Sequence, residues 1–229
     1  MGGIKRIKIS VSLAAAPLDR VGEIVRSLTL GQVDYLHFDI EDGIFVPMIT
    51  LGTKIIQDLR PLTSLPFDVH LMMMNPEWLI PDLVRMGANR IAVHYEACPY
   101  PRRTLRKIVE AGAQAGIALN PATPLPDLAY LRPYLSFVLI LTSEPEMPDC
   151  PFLPAMLEKV RQGRRQPGLN GVEWVVDGGI NPQNLPQVVA AGADVLVIGR
   201  AIFKDSTVQE NLRLFHHILD KVLSHATSA

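Results

Sequence analysis

Three short apolar runs carry histidine or aspartate where a core strand ordinarily carries an aliphatic residue. They are Tyr35-Leu36-His37-Phe38-Asp39, Phe67-Asp68-Val69-His70-Leu71-Met72 and Trp174-Val175-Val176-Asp177-Gly178-Gly179. Residues two apart on a β-strand point to the same face, so His37 and Asp39 project together. If His70 and Asp177 end strands of the same closed sheet, two imidazoles and two carboxylates converge. That donor set suits a divalent metal. The competing reading makes each a satisfied core or rim group, as a lone buried histidine usually is. Four such residues at one mouth weigh against it.

The elements that must position them follow a repeating unit: a helical pattern, a small turn often containing Gly-Ala, then a short apolar strand. The turn-strand pieces are Gly31–Asp39, Gly87–His94, Gly116–Asn120 and Gly192–Gly199, and strands are also expected at Ile7–Leu13, Pro66–Met72, Ser136–Thr142 and Gly171–Asp177. Helices are expected over Leu18–Leu30, Thr53–Leu59, Pro76–Met86, Arg102–Ala115, Leu125–Leu131, Phe152–Arg165, Asn184–Ala191 and Val208–Leu223. Their apolar positions recur at three and four residues, as in Val21, Ile24, Val25 and Leu28. Strict alternation at roughly 25–30 residues per unit implies parallel strands with crossover helices. Eight units predict an α/β chain folded as one (β/α)₈ TIM barrel domain over residues 1–229. An open doubly wound sheet is the alternative, and no Gly-x-Gly-x-x-Gly follows the first strand to favour it. In a barrel, catalytic groups sit at the C-terminal strand ends, where His37, Asp39, His70 and Asp177 all fall.

The composition sets bounds. With 229 residues, 48% hydrophobic residues and a formal net charge of −1, the chain reads as an ordinary soluble globular protein. There is no basic excess for nucleic acid or an anionic membrane surface. No stretch approaches a transmembrane helix, and the N-terminus shows no apolar signal core. The two cysteines, Cys98 and Cys150, give no disulfide scaffold, so a cytoplasmic location is expected.

At these motifs the sequence also becomes recognisable. The stretch from His37 to Pro47, Asp68-Val-His70-Leu-Met72, His94-Tyr-Glu96-Ala-Cys98, Ala118-Leu-Asn120-Pro-Ala-Thr123-Pro124, Val176-Asp177-Gly-Gly-Ile180-Asn181 and Gly199-Arg-Ala-Ile-Phe203 resemble, in order, the motifs of ribulose-phosphate 3-epimerases. The resemblance runs from about Ile9 to Phe203. It implies a ribulose-phosphate-binding type of barrel and a metal-dependent isomerase that inverts C3 of a ketose 5-phosphate. By position, His37, Asp39, His70 and Asp177 are the implied metal ligands, and Asp39 and Asp177 the implied catalytic pair. Ser12 is the implied substrate contact, and His70, Met72, Gly178, Gly179, Gly199 and Arg200 are further expected to bind substrate. One divalent ion is expected, Zn²⁺ first, with Fe²⁺, Mn²⁺ or Co²⁺ equally compatible with mixed ligands. A sugar phosphate is the expected partner and a dimer or hexamer the expected assembly.

The chemistry explains the residue types. Epimerisation beside a carbonyl removes a weakly acidic C–H proton and returns one to the opposite face through an enediolate. A cation stabilises the developing oxygen charge. Two carboxylates serve as base and acid and exchange roles with direction.

The chain departs from the family at the mouth. Glu144-Pro145-Glu146-Met147-Pro148-Asp149-Cys150 stands where the family has a glycine-rich phosphate loop, and acids there repel a phosphate. Arg200 replaces a small serine and is read as compensating phosphate ligand or as ion-pair partner of Glu144, Glu146 or Glu41. Glu41 replaces a methionine and is read as an added metal ligand, a charge that raises a neighbour's pKa, or a contact to a substrate hydroxyl. Ile44 and Met48 replace commonly polar residues. These changes open two further readings, an epimerase of another or unphosphorylated ketose and a non-catalytic metal- or sugar-binding barrel, with a phosphate-barrel lyase more distant. His94 is read as support for a ligand, Met72–Met74 as filler and mouth lining, the cysteines as unreactive, and His216 and His217 as surface.

Overall fold

The computed structural model describes residues 6–145 and 150–226. Eight parallel strands close into a barrel in sequence order. The chain runs β1 (Lys8–Ser12), α1 (Val21–Leu30), β2 (Tyr35–Glu41), α2 (Lys54–Leu59), β3 (Phe67–Met72), α3 (Ile80–Met86), β4 (Ala88–His94), α4 (Pro101–Ala111) and β5 (Gln114–Leu119). It continues through β6 (Leu135–Leu141), α5 (Leu157–Arg165), β7 (Glu173–Asp177), α6 (Leu185–Ala190), β8 (Val195–Ile198), the one-turn α7 (Arg200–Phe203) and α8 (Val208–Ala226). Each strand presents alternate residues outward to the helices and inward to the barrel axis. The outward set, with Leu36, Phe38, Val69, Ile91, Val138 and Val176, merges with the inner helix faces into the main core. Ala92, Ala118, Phe137, Leu139, Leu141, Val175, Val195 and Val197 fill the interior. Most of the remaining inward positions are polar, among them Ser10, Ser12, His37, Asp68, His70, Arg90 and His94.

Several expected helices differ from the structure. The Arg102–Ala115 helix stops at Ala111, because Gly112 takes a left-handed conformation (φ 105°) and its N–H and that of Ala113 satisfy the carbonyls of Val109 and Ile108. Strand β5 therefore begins at Gln114, earlier than expected. No α-helix forms over Leu125–Leu131; only a 3₁₀ turn at Ala129–Leu131 is present. Pro126 cannot donate to a helix. The side chain of Gln166 instead accepts from Leu128 N and donates to Pro126 O, at 3.0 and 2.9 Å. Expected helices at Leu18, Pro76 and Phe152 likewise open with irregular or 3₁₀ turns before α1, α3 and α5 begin.

Candidate active site

Register brings the polar strand ends together. Asp39 on β2 lies opposite His70 on β3, Ser12 on β1 opposite His37, and Asp177 on β7 opposite Val197 on β8. His37 Nε2 is 3.2 Å from Asp39 Oδ1 and 3.6 Å from Asp177 Oδ2, and His70 Nδ1 is 3.3 and 3.7 Å from the same two oxygens. One donor atom from each of the four residues lies within 4.8 Å of every other. Four ligands at about 2.1 Å around a tetrahedral cation are about 3.4 Å apart. The observed edges bracket that spacing, and two neutral nitrogens with two carboxylate oxygens form a donor set for a borderline divalent ion. The residues fit a bound metal.

Both imidazoles are held by a partner behind them. His37 Nδ1 is 3.1 Å from Asp68 Oδ2, a carboxylate 1% exposed. His70 Nε2 is 2.9 Å from His94 Nε2, whose Nδ1 is 3.1 Å from Glu96 Oε2. Glu96 also accepts the Asn120 N–H at 2.9 Å. Burial holds His94 down to about 4, so it is a neutral ring between Glu96 and His70. The expected supporting role of His94 is what the geometry provides. Phe45, from the loop after β2, packs against the His94 ring at 4.6 Å between centroids.

The two aspartates sit in different fields. Burial pushes both up, but around Asp39 the His37 and His70 rings reverse this and hold it far below the usual carboxylate range. The Ser12 hydroxyl adds a hydrogen bond to Asp39 Oδ2 at 2.8 Å. Asp177 receives less compensation; burial and then the neighbouring Asp39 charge leave it raised to about 6. Burial lowers His37, yet the Asp39 and Asp68 carboxylates outweigh it and raise the imidazole well above its ordinary value. The two carboxyls are thus pushed apart in opposite directions, the pattern that separates an acid from a base in paired sites.

The rim departs from several expectations. Glu41 is not among the four grouped donors; its Oε2 accepts the Thr50 N–H at 2.6 Å and braces the loop after β2. Burial, and more weakly Asp39, raises its pKa. Of the Glu144–Asp149 segment, residues 146–149 lie outside the described residues. Gly178 and Gly179 adopt φ values of 111° and 69°, and a Cβ on Gly178 would come within 2.4 Å of Ser143 Oγ. That close approach joins the loops after β6 and β7, tightened by Thr142 Oγ1 donating to Gly178 O at 2.6 Å. Arg200 begins the single turn directly after Gly199 and is exposed. Met72 and Met73 are buried and Met74 is 39% exposed. Cys98 and Cys150 are free and buried, with burial pushing the Cys98 thiol up to about 11. His217 is exposed as expected, but His216 is partly buried rather than on the surface. Sequence reasoning passed over Asp68 and Arg90, although both alternate in register with a histidine two or four residues on.

Comparison with known proteins follows the same residues. A model of the Ribulose-phosphate 3 epimerase family matches residues 8–203. The chain is 40% identical over 203 residues to ribulose-phosphate 3-epimerase of Synechocystis, covering 87% of this chain and 88% of that protein. It is 37% identical to the Bacillus subtilis enzyme of the same name, covering 87% and 94%. Among solved structures, KGPDC from Streptococcus mutans superposes with a TM-score of 0.68 at 15% identity, over 94% of this chain and 98% of that one, a likeness of fold alone. No described helix is long and apolar enough to cross a membrane.

Proposed function

The chain belongs to the ribulose-phosphate 3-epimerase family and is an isomerase acting on carbohydrates, and from that premise we propose that it interconverts D-ribulose 5-phosphate and D-xylulose 5-phosphate. One divalent ion, Zn²⁺ in the first instance, is held by His37, Asp39, His70 and Asp177. The observation that supports the proposal is the four-donor group, whose nitrogen–oxygen edges of 3.2 to 3.7 Å suit a single coordination sphere. When bound, the ion supplies Lewis-acid stabilisation of the negative charge that develops on the sugar oxygens.

The remaining work falls to the chain. One of the two aspartates takes the proton from C3; the C–H electron pair moves into a C2–C3 double bond and the carbonyl electrons move onto oxygen. The other carboxyl then delivers its proton to C3 from the opposite side, and the carbonyl re-forms. Without an ion the two carboxyls differ, Asp39 held far below the usual range and Asp177 raised to about 6; which of them takes the proton and which returns it exchanges for the reverse reaction. Ser12 holds Asp39 Oδ2 through its hydroxyl and so fixes the carboxylate plane. The Phe45 ring packs on the His94 ring, and Met72 is buried on the strand that carries His70. Gly178, Gly179, Gly199 and Arg200 are assigned to the phosphate, with Arg200 supplying the charge that an acidic Glu144 side of the mouth lacks.

A cytoplasmic location and a homo-oligomer complete the proposal; two buried free cysteines fit a reducing compartment. The test is solvent deuterium incorporation at C3 of ribulose 5-phosphate with added divalent metal, with Asp177→Asn as comparator. Exchange that is metal-dependent and lost in the variant supports the assignment. Faster exchange with free ribulose than with its phosphate redirects it to an unphosphorylated ketose, and no exchange with any ketose refutes it.

A further inference from the structure

The floor of the barrel, at the end away from the mouth, is charged. Arg90 on β4 is 1% exposed, and its guanidinium lies between the Tyr35 and Phe137 rings at 4.4 and 4.2 Å from their centroids. Gly116 on β5 makes this possible, since a Cβ there would come within 2.2 Å of the Phe137 ring. Two carboxylates meet the charge: Asp68 Oδ1 is 3.4 Å from Arg90 Nε, and Glu173 Oε2 is 3.0 Å from Nη1. Glu173 is held in turn by Lys8 at 2.5 Å. The other oxygen of Asp68 faces upward, accepting from Ser10 Oγ at 3.2 Å and lying 3.1 Å from His37 Nδ1. Asp68 is thus the joint between the floor and the four-donor group.

We propose that Arg90, acting through Asp68, is a positioning residue that sets how His37 presents itself to the metal. Arg90 fixes where the Asp68 carboxylate sits: the guanidinium lies against Oδ1 and leaves Oδ2 on His37 Nδ1. With Nδ1 held on the floor side, the opposite edge of the ring, Nε2, is presented to Asp39 and Asp177. Two aromatic faces fix the guanidinium, so the arrangement is built in before any ligand arrives. This rests on the metal-site reading above.

The test uses the full-length protein with Co²⁺ as probe, its affinity read by chelator competition and its geometry by visible absorption. Arg90→Met is expected to weaken Co²⁺ binding by about 10–100-fold, the usual effect of losing an outer-shell partner, and to alter the bound-ion spectrum. Arg90→Lys restores most of both. Lys8→Met, which breaks the same network without touching Asp68, leaves affinity within about twofold even where it lowers thermal stability. An Arg90→Met protein with wild-type affinity and spectrum overturns the inference. Should that variant fail to fold, nitrogen NMR of the cadmium-loaded wild-type protein decides: coupling at His37 Nε2 with a protonated Nδ1 supports it, and coupling at Nδ1 overturns it. A wild-type chain that takes up neither ion overturns the metal reading itself, and this inference with it.

Discussion

Metal binding at the four-donor group should be steeply pH-dependent, and the structure sets how steeply. In the metal-free protein His37 is raised well above its ordinary value and Asp177 is raised to about 6. A cation competes with a proton at both groups, while Asp39, held far down, stays ionised throughout. The sign follows for each. His37 gives up a proton to the ion wherever its ring is protonated, so affinity falls with pH below its raised value, by at most about tenfold per unit from this group alone. Asp177 adds little at pH 7 and a second tenfold per unit once pH drops well below 6. Together the two groups give a loss of up to about 20-fold between pH 7 and 6 and up to about 50-fold between pH 6 and 5. Chelator competition over that range measures it, and calorimetry in buffers of different ionisation enthalpy counts the protons released, about one at pH 7 and near two at pH 5. Asp177→Asn should bind more weakly everywhere but lose only about a hundredfold over the same range, because one of the two titrating groups is gone. An affinity that changes less than about threefold between pH 7 and 5 would refute the reasoning, since neither group would then be exchanging its proton for the ion.

Further outcomes follow from particular contacts. His94→Leu removes the acceptor behind His70 Nε2 and should weaken metal binding by about 10–100-fold in a folded protein; unchanged affinity would mean that packing alone orients His70. Gly178→Ala places a Cβ within 2.4 Å of Ser143 Oγ at φ 111°, and a cost of about 1–3 kcal/mol in urea unfolding is expected, with turnover falling at least tenfold as the loop after β7 shifts. Gly163→Ala drives a Cβ within 1.8 Å of the Trp174 ring, far from the mouth; a loss of about 1–3 kcal/mol, or several degrees in Tm, should leave the Michaelis constant unaltered.

Much of this arrangement was legible because the barrel writes its interior in a period of two. His37 and Asp39 share a face for that reason, and alternating units gave the barrel, its strand count and the mouth to which the ligands belong. The same period, applied backward from the ligands, would have exposed the floor: Asp68 precedes His70 by two residues and Arg90 precedes His94 by four, so both point inward. They were passed over because an ion pair between neighbouring strands has no signature within either strand. The overlong fourth helix has a simpler cause. Gly112-Ala113 is the same Gly-Ala turn that ends other units, yet the small residues up to Gly116 continue a helical pattern equally well, and only the left-handed φ at Gly112 separates them. The Leu125–Leu131 stretch has helical spacing but lies among three prolines, and its backbone partner, Gln166, is 38 residues away from Leu128. Glu41 could not be assigned because its partner, Thr50 N, sits in an irregular loop.

The charged groups on the barrel axis form one continuous path. It begins at Lys8 and Glu173 on the floor, crosses Arg90 to Asp68, and rises through His37 to the paired aspartates. Every member borders another of opposite or complementary character, so removing one leaves a neighbour desolvated and unpaired, which is the costly case for buried charge. The departures at the mouth are of another kind. Glu41 turns to a loop amide and Arg200 stands in solvent contact, so neither is a link in the path from the floor to Asp39 and Asp177. Changes at such positions can retune what the mouth accepts while leaving Asp39, Asp177 and the groups behind them in place. On the proposed function, substrate preference and proton transfer are then separable, and Glu41→Met should move the first without the second: the ratio of turnover between a ketose phosphate and its free sugar changes, while the pH dependence of Co²⁺ binding keeps its slope. A slope altered by that substitution would place Glu41 on the path after all.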